Sequence, residues 1–235
     1  MPPLTSVWHT QIPTWEQKMK DTSKSFIHQL SQYTRISNFM HLDLASADTI
    51  WIVSDGGKDS ENGYYGWIIT DASHIICKGK GHTTGNKEHM DSLRAESSGM
   101  LHALTVIVHH IRNGNCTAKI KLASNNLLLV KRTKLICEYS SRLPTQYAAP
   151  HMDLQCIIDS LIVEHIIDIE VIHVKGHQDT LKHGSLTWEE HLNVRADQLA
   201  TIARFEHKPL TYLQQCSWHP SAVIQLFINK QPINK

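Results

Sequence analysis

Acidic side chains on faces that ought to be buried are the first sign of chemistry in this sequence. Asp55 closes the apolar run TIWIVSD, where strand alternation puts it on the side of Trp51 and Val53. The Gly56-Gly57 pair that follows lets another backbone or a ligand come close. The competing reading is that Asp55 only starts a turn, as Asp at a strand end often does. Glu96 stands three residues after Leu93 and four before Met100, so helical geometry lays it on the stripe that should face a sheet, among Ala95, Gly99 and Ala103. A buried carboxylate is costly unless it is paired, hydrogen-bonded or bound to a cation, and only Arg94, at the edge of that stripe, offers a nearby positive charge. Asp197 lies one helical turn after Asn193 in HLNVRADQLA, beside Leu192, Ala196, Leu199 and Ala203, and taken alone it reads as a surface residue. If the fold draws one strand end and two helices together, these acids make an oxygen-only ligand set, which favours Mg²⁺ or Mn²⁺.

A fourth position is ambiguous. In KIKLASNNLLLVKR, residues 119 to 132, a strand passes into a helix through two amides, Asn125 and Asn126. Asn caps helices and accepts turn geometry, so one amide there needs no further role. The second remains to be explained.

The elements that must position these groups follow from periodicity. The runs TIWIVSDGG, GYYGWIITDAS and HIICKGKGHT are β-rich and separated by turn residues, which predicts a three-stranded antiparallel meander. A helix over SLRAESSGMLHALTVIVHHIRNG, the strand AKIKLAS and a helix over roughly 126 to 139 come next. After the Pro-marked loop SSRLPTQYAAPHM, the pattern predicts a helix over DLQCIIDSLIVEH, the strand DIEVIHVKG and a last helix over HLNVRADQLATIARF. Strands joined through helices need long crossovers, so the expected α/β architecture is a mixed five-stranded sheet, a meander of three strands plus two parallel strands, flanked by helices.

The chain divides into a polar extension over residues 1–47, a folded domain over 48–206 and a tail over 207–235. In the first, Trp15, Met19, Phe26 and Leu30 are spaced for one apolar stripe on a helix from about Pro13 to Tyr33. In the tail, AVIQLFI is a short strand-like run. Lys and Arg number 23 against 22 Asp and Glu, so no global charge attracts nucleic acid or an anionic membrane, and any such binding must be local. Seventeen histidines should make the protein distinctly basic in mildly acidic solution. Five scattered cysteines without a C-x-x-C pair argue against a disulfide framework or a zinc site and suit a reducing, intracellular setting. The N-terminus lacks the pattern of a signal peptide, and LIVEHIIDIEVIHV is interrupted by charge, so a soluble protein is expected.

Five segments, in order, resemble the type 1 ribonuclease H domain of retroelement reverse transcriptase polyproteins: VSDGGKDSENGYYGWII, SLRAESSGML, LASNNLLLV, VIHVKGHQD and HLNVRADQLA. The resemblance spans roughly residues 49 to 205 and implies hydrolysis of the RNA strand of an RNA–DNA hybrid with two Mg²⁺ or Mn²⁺ ions present. It carries the Asp-Glu-Asp-Asp set of that family onto Asp55, Glu96, Asn125 and Asp197, and the loop histidine onto His177. Asn125 then stands where the third acidic ligand belongs, nearly isosteric but uncharged. Gly56, Asn126 and Asn193 are the expected substrate contacts, Asn126 doubling as a helix-start residue, while His173 is expected to serve strand packing. Trp188 and His183 fall in an insertion, TLKHGSLTWEEH, that suits substrate contact and local packing equally. A reverse transcriptase polymerase domain is the implied partner, with this chain a fragment or partial reading frame. The alternatives are a non-catalytic binding or scaffolding domain and, less in keeping with the motifs, a DNA nuclease of the same fold.

Overall fold

The computed structural model describes residues 47–60, 62–83, 87–113, 118–139, 149–165, 169–177 and 185–206, and two short strands in the tail. Strands β1 (Thr49–Lys58), β2 (Gly63–Thr70) and β3 (Ile75–His82) form the antiparallel meander. They are followed by α1 (Ser92–Asn113), β4 (Lys119–Ser124), α2 (Leu127–Tyr139), α3 (Met152–His165), β5 (Ile169–His173) and α4 (Trp188–Glu206). The sheet order is β3-β2-β1-β4-β5, with β4 parallel to both β1 and β5. This is the mixed five-stranded sheet flanked by helices that the sequence predicts.

Both faces of the sheet are covered, which is why the central strands read as nearly continuous apolar runs. Ile50, Ile52, Trp67, Ile69, Leu122 and Val171 point into a core shared with α1, α2 and α3. Trp51, Val53, Ile68, Ala123 and Val174 point the other way, against Leu192 and Ala196 of α4. Each fully buried side chain of this kind contributes about 1.5–3 kcal/mol relative to exposure. On the α4 face of β4 and β5, charged side chains take over: Lys119 and Lys121 both reach Glu170, at 3.0 and 3.8 Å. Lys121 Nζ also lies 4.7 Å from the centroid of the Trp51 ring.

Each helix that delivers a candidate residue has a local start signal. Asp91 Oδ1 accepts from the Arg94 N–H at 2.8 Å ahead of α1. Asn126 Oδ1 accepts from the N–H groups of Leu128 and Leu129 at the start of α2, at 3.1 and 3.2 Å. Thr187 and Glu190 form a reciprocal capping box that starts α4 at Trp188 rather than at the expected His191. Trp188 is therefore a first-turn helix residue rather than part of a loop insertion. The expected helix at 13–33, His183 and residues 140–148 of the Pro-marked loop lie outside the described residues. Of AVIQLFI, only Phe227–Ile228 is described, and it pairs with Gln231–Pro232, separate from the main sheet.

Candidate active site

Two glycines let helices from opposite faces converge on Asp55. Gly56 is so close to α1 that a Cβ there would stand 2.6 Å from the Ala95 carbonyl carbon and 2.6 Å from the Glu96 nitrogen. Gly66, the strand partner of Asp55, meets α4 in the same way, with a Cβ falling 2.7 Å from the Ala200 nitrogen. One glycine thus brings in Glu96 from the α1 side, and the other brings in Asn193 and Asp197 from the α4 side. β4 supplies the rest, because its parallel register sets Ser124 beside Ser54 and leaves Asn125 at the open end of the sheet.

Asp55 is buried, with both carboxylate oxygens engaged. Oδ1 accepts from the Gly56 N–H at 2.7 Å, and Oδ2 accepts from Asn125 Nδ2 at 3.1 Å and from Asn193 Nδ2 at 3.0 Å. Glu96, also buried, accepts from Ser124 Oγ at 2.7 Å and from Asn126 Nδ2 at 3.4 Å. Burial, reinforced by the charge of Asp197, raises the Asp55 pKa to about 7 against the hydrogen bonds that oppose it. Burial and then the charge of Asp55 raise Glu96 to about 8. Arg94 gives no relief, since it turns away to Asp153 in a two-point pair at 3.0 and 2.8 Å.

The two amides therefore have different tasks. Asn126 caps α2 and steadies Glu96, whereas Asn125 contributes nothing to the cap and faces Asp55. Asn193, expected at the substrate surface, is only 2% exposed and is hydrogen-bonded to Asp55. His177 is exposed, follows Gly176 with φ 54°, and is near enough for its positive form to favour ionised Asp55. His173 corrects its expectation: its ring is exposed and not packed, and Nε2 bonds the Asn125 carbonyl oxygen at 3.1 Å. Alternation sets it on the side of Ile169 and Val171, and its place at the end of the strand exposes it beside the β4–α2 junction. Of these, Asn193 was visible in the sequence one turn before Asp197, but nothing there named Asp55 as its partner.

A divalent cation is what the pocket's charge calls for. Burial raises both Asp55 and Glu96, the charges of the neighbouring acids add to it, and the Oδ1 atoms of Asn125 and Asn193 are buried without a hydrogen-bond partner. Hard oxygen donors of this kind suit Mg²⁺ or Mn²⁺. Asp55 is the shared member, coupled to Asp197 on one side and to Glu96 on the other. Among the described residues, no group of three or more His, Cys, Asp or Glu side chains gathers about one point as an ion holder. Asn125 brings an amide, not a carboxylate, to Asp55.

Sheet order and helix placement match a known architecture. The prototype foamy virus protease-reverse transcriptase superposes with a TM-score of 0.50 at 15% identity, over 71% of this chain and 22% of that one. The fold is ribonuclease H-like. LC11-RNase H1 in complex with an RNA/DNA hybrid is 18% identical over 66% of this chain and 96% of its own, with a TM-score of 0.48. The PFV RNase H domain in solution is 16% identical over 66% and 92%, with a TM-score of 0.47. No family model matches the chain, and neither does the sequence of any curated protein. No helix among the described residues is long and apolar enough to cross a membrane.

Proposed function

We propose that residues 48–206 form a ribonuclease H-type domain, carrying extensions at 1–47 and 207–235, that binds RNA–DNA hybrids and hydrolyses the RNA strand at a site weakened by Asn125. What supports this most is that buried Asp55 is coupled by charge to Asp197 of α4 and to buried Glu96 of α1. Two Mg²⁺ or Mn²⁺ ions, which Asp55, Glu96, Asn125 and Asp197 would hold in the substrate complex, would supply an activated water and stabilise the leaving oxygen.

Within that scheme Asp55 would help hold both ions, Asp197 would help hold the one that activates water, and Glu96 with Asn125 would help hold the one that stabilises the leaving oxygen. Asn125 presents an amide oxygen of nearly the right shape without the unit charge on which affinity for a hard dication depends. His177 would exchange a proton at the leaving oxygen or ease product release. Gly56 and Asn126 border the pocket and are proposed to meet the hybrid backbone. Recognition would rest on 2′-hydroxyls and groove width, which suits a near-neutral protein and implies weak sequence preference.

A second reading, a catalytically silent hybrid-binding or scaffolding domain of a retroelement reverse transcriptase, is favoured by the Asn125 amide donating to Asp55 at 3.1 Å. A hybrid-cleavage assay in Mg²⁺ and in Mn²⁺, comparing the chain with Asn125→Asp, separates the two. Cleavage gained by the variant identifies a single-ligand defect, and no cleavage by either protein sinks the enzymatic reading. Equal affinity for a hybrid and for unrelated DNA would count against the silent binder.

A further inference from the structure

The buried Asp55 carboxylate is met by two side-chain amides from different elements. Asn125 Nδ2 and Asn193 Nδ2 both donate to the same oxygen, Oδ2, at 3.1 and 3.0 Å. Two N–H donors use both in-plane lone pairs of that oxygen. The Gly56 N–H occupies Oδ1 at 2.7 Å, so each carboxylate oxygen already faces positive hydrogen. The cost appears on the far side of each amide, where Asn125 Oδ1 and Asn193 Oδ1 are buried with no partner. An orphaned buried acceptor is expensive, so something must hold both amides in this orientation. Turning either amide by half a rotation would set its oxygen against the carboxylate, which a cation or a proton lying between them would stabilise. An ion on Asp55 Oδ2 would thus have to displace both amide donors.

We propose that Asn193, with Asn125, is a positioning residue that clamps the Asp55 carboxylate and competes with a divalent ion for it. α4 would then deliver the ion's ligand, Asp197, and its competitor, Asn193, one turn apart, both brought within reach by the contact of α4 with Gly66. The clamp rests on the metal-binding reading of this pocket. It adds that Asn193 is spent on Asp55 rather than on substrate, and that the ion-free domain is held together by amides where a fully acidic site would repel itself.

The test uses the full chain carrying Asn125→Asp, in which the fourth carboxylate is restored, with and without Asn193→Ala, melted in EDTA and across a Mg²⁺ titration. Adding Asn193→Ala is expected to lower Tm in EDTA. The Mg²⁺ concentration giving half of the Tm rise should also fall at least threefold. An unchanged midpoint makes Asn193 a plain structural partner, and a raised midpoint makes it an ion ligand; either overturns the clamp. No Mg²⁺-dependent rise in Asn125→Asp itself overturns the metal reading and the clamp together. If Asn193→Ala does not fold, side-chain amide NMR of ¹⁵N-labelled Asn125→Asp asks the same question. The Asn193 NH₂ pair should be protected in EDTA and should shift and lose protection on Mg²⁺ saturation. A pair that Mg²⁺ leaves unmoved overturns the proposal.

Discussion

Two carboxylate clusters flank the start of α1, and they differ in how their charge is met. At the helix start, Asp91 caps the backbone and takes His151 Nε2 at 2.8 Å, while the buried Arg94 holds Asp153 through two bonds. Burial alone would push both acids up. The Arg94 backbone N–H and His151 bring Asp91 below the usual carboxylate value, and the Arg94 guanidinium does the same for Asp153. Two residues further along, Glu96 and its neighbour Asp55 are raised to about 8 and about 7. A helix that needs carboxylates only for its own stability comes with cations already in place. The pocket meets its buried acids with amides, a backbone N–H and a hydroxyl, and their pKa values stay raised, the kind of perturbation that clusters at functional sites.

The comparison can be broken at either cluster. Arg94→Met strands Asp153 and should cost about 3 kcal/mol in urea unfolding, the low end for a buried pair because Asp153 is partly exposed. A loss within error would mean that the helix-start cluster is not the structural one. At the pocket, Asn125→Asp should raise hybrid cleavage in Mg²⁺ about a hundredfold, equivalent to about 2.7 kcal/mol of transition-state stabilisation.

The pH profile of stability sharpens the contrast. Folded Asp55 and Glu96 keep protons that the unfolded chain has already lost between pH 5 and pH 8, so stability without metal falls as pH rises through that window. The coupled pair's loss should be read as a urea midpoint in EDTA that falls as pH rises. Asp91 and Asp153 behave oppositely. Their folded pKa values lie below the ordinary 3.8, so their contribution is present above that pH and is lost only as pH falls through the folded values. The smallest effect expected is for Glu96→Gln, which should gain about 1 kcal/mol at pH 8 in EDTA and nothing at pH 5, where Glu96 is already protonated. A loss at pH 8 would show that Glu96 is held by its hydrogen bonds as firmly as Asp91 is.

Much of this was legible in the residues. Strand alternation put Asp55 on the face of Trp51 and Val53, and that is the face α4 covers. Helical spacing put Glu96 toward the sheet, where it is buried. What escaped was long-range. The partner of Arg94 is 59 residues away, and the partner of Asn193 is 138 away, beyond any periodicity. The use of Gly66 as a seat for α4 depends on its pairing with Asp55, which only the sheet register reveals. The start of α4 was within reach, since Thr187 and Glu190 have capping-box spacing. His173 was misjudged because alternation puts it on the core side with Val171, whereas its place at the end of β5 leaves it exposed and bonded to the Asn125 carbonyl oxygen.

The proposed site is a two-ion pocket of Asp55, Glu96 and Asp197 in which Asn125 takes the place of a fourth carboxylate. Calorimetric titration of Mg²⁺ into the chain with an RNA–DNA hybrid bound counts those ions directly. The account predicts two ions per chain for Asn125→Asp and fewer, or weaker, for the chain carrying Asn125. Binding of no ion by either protein would contradict it.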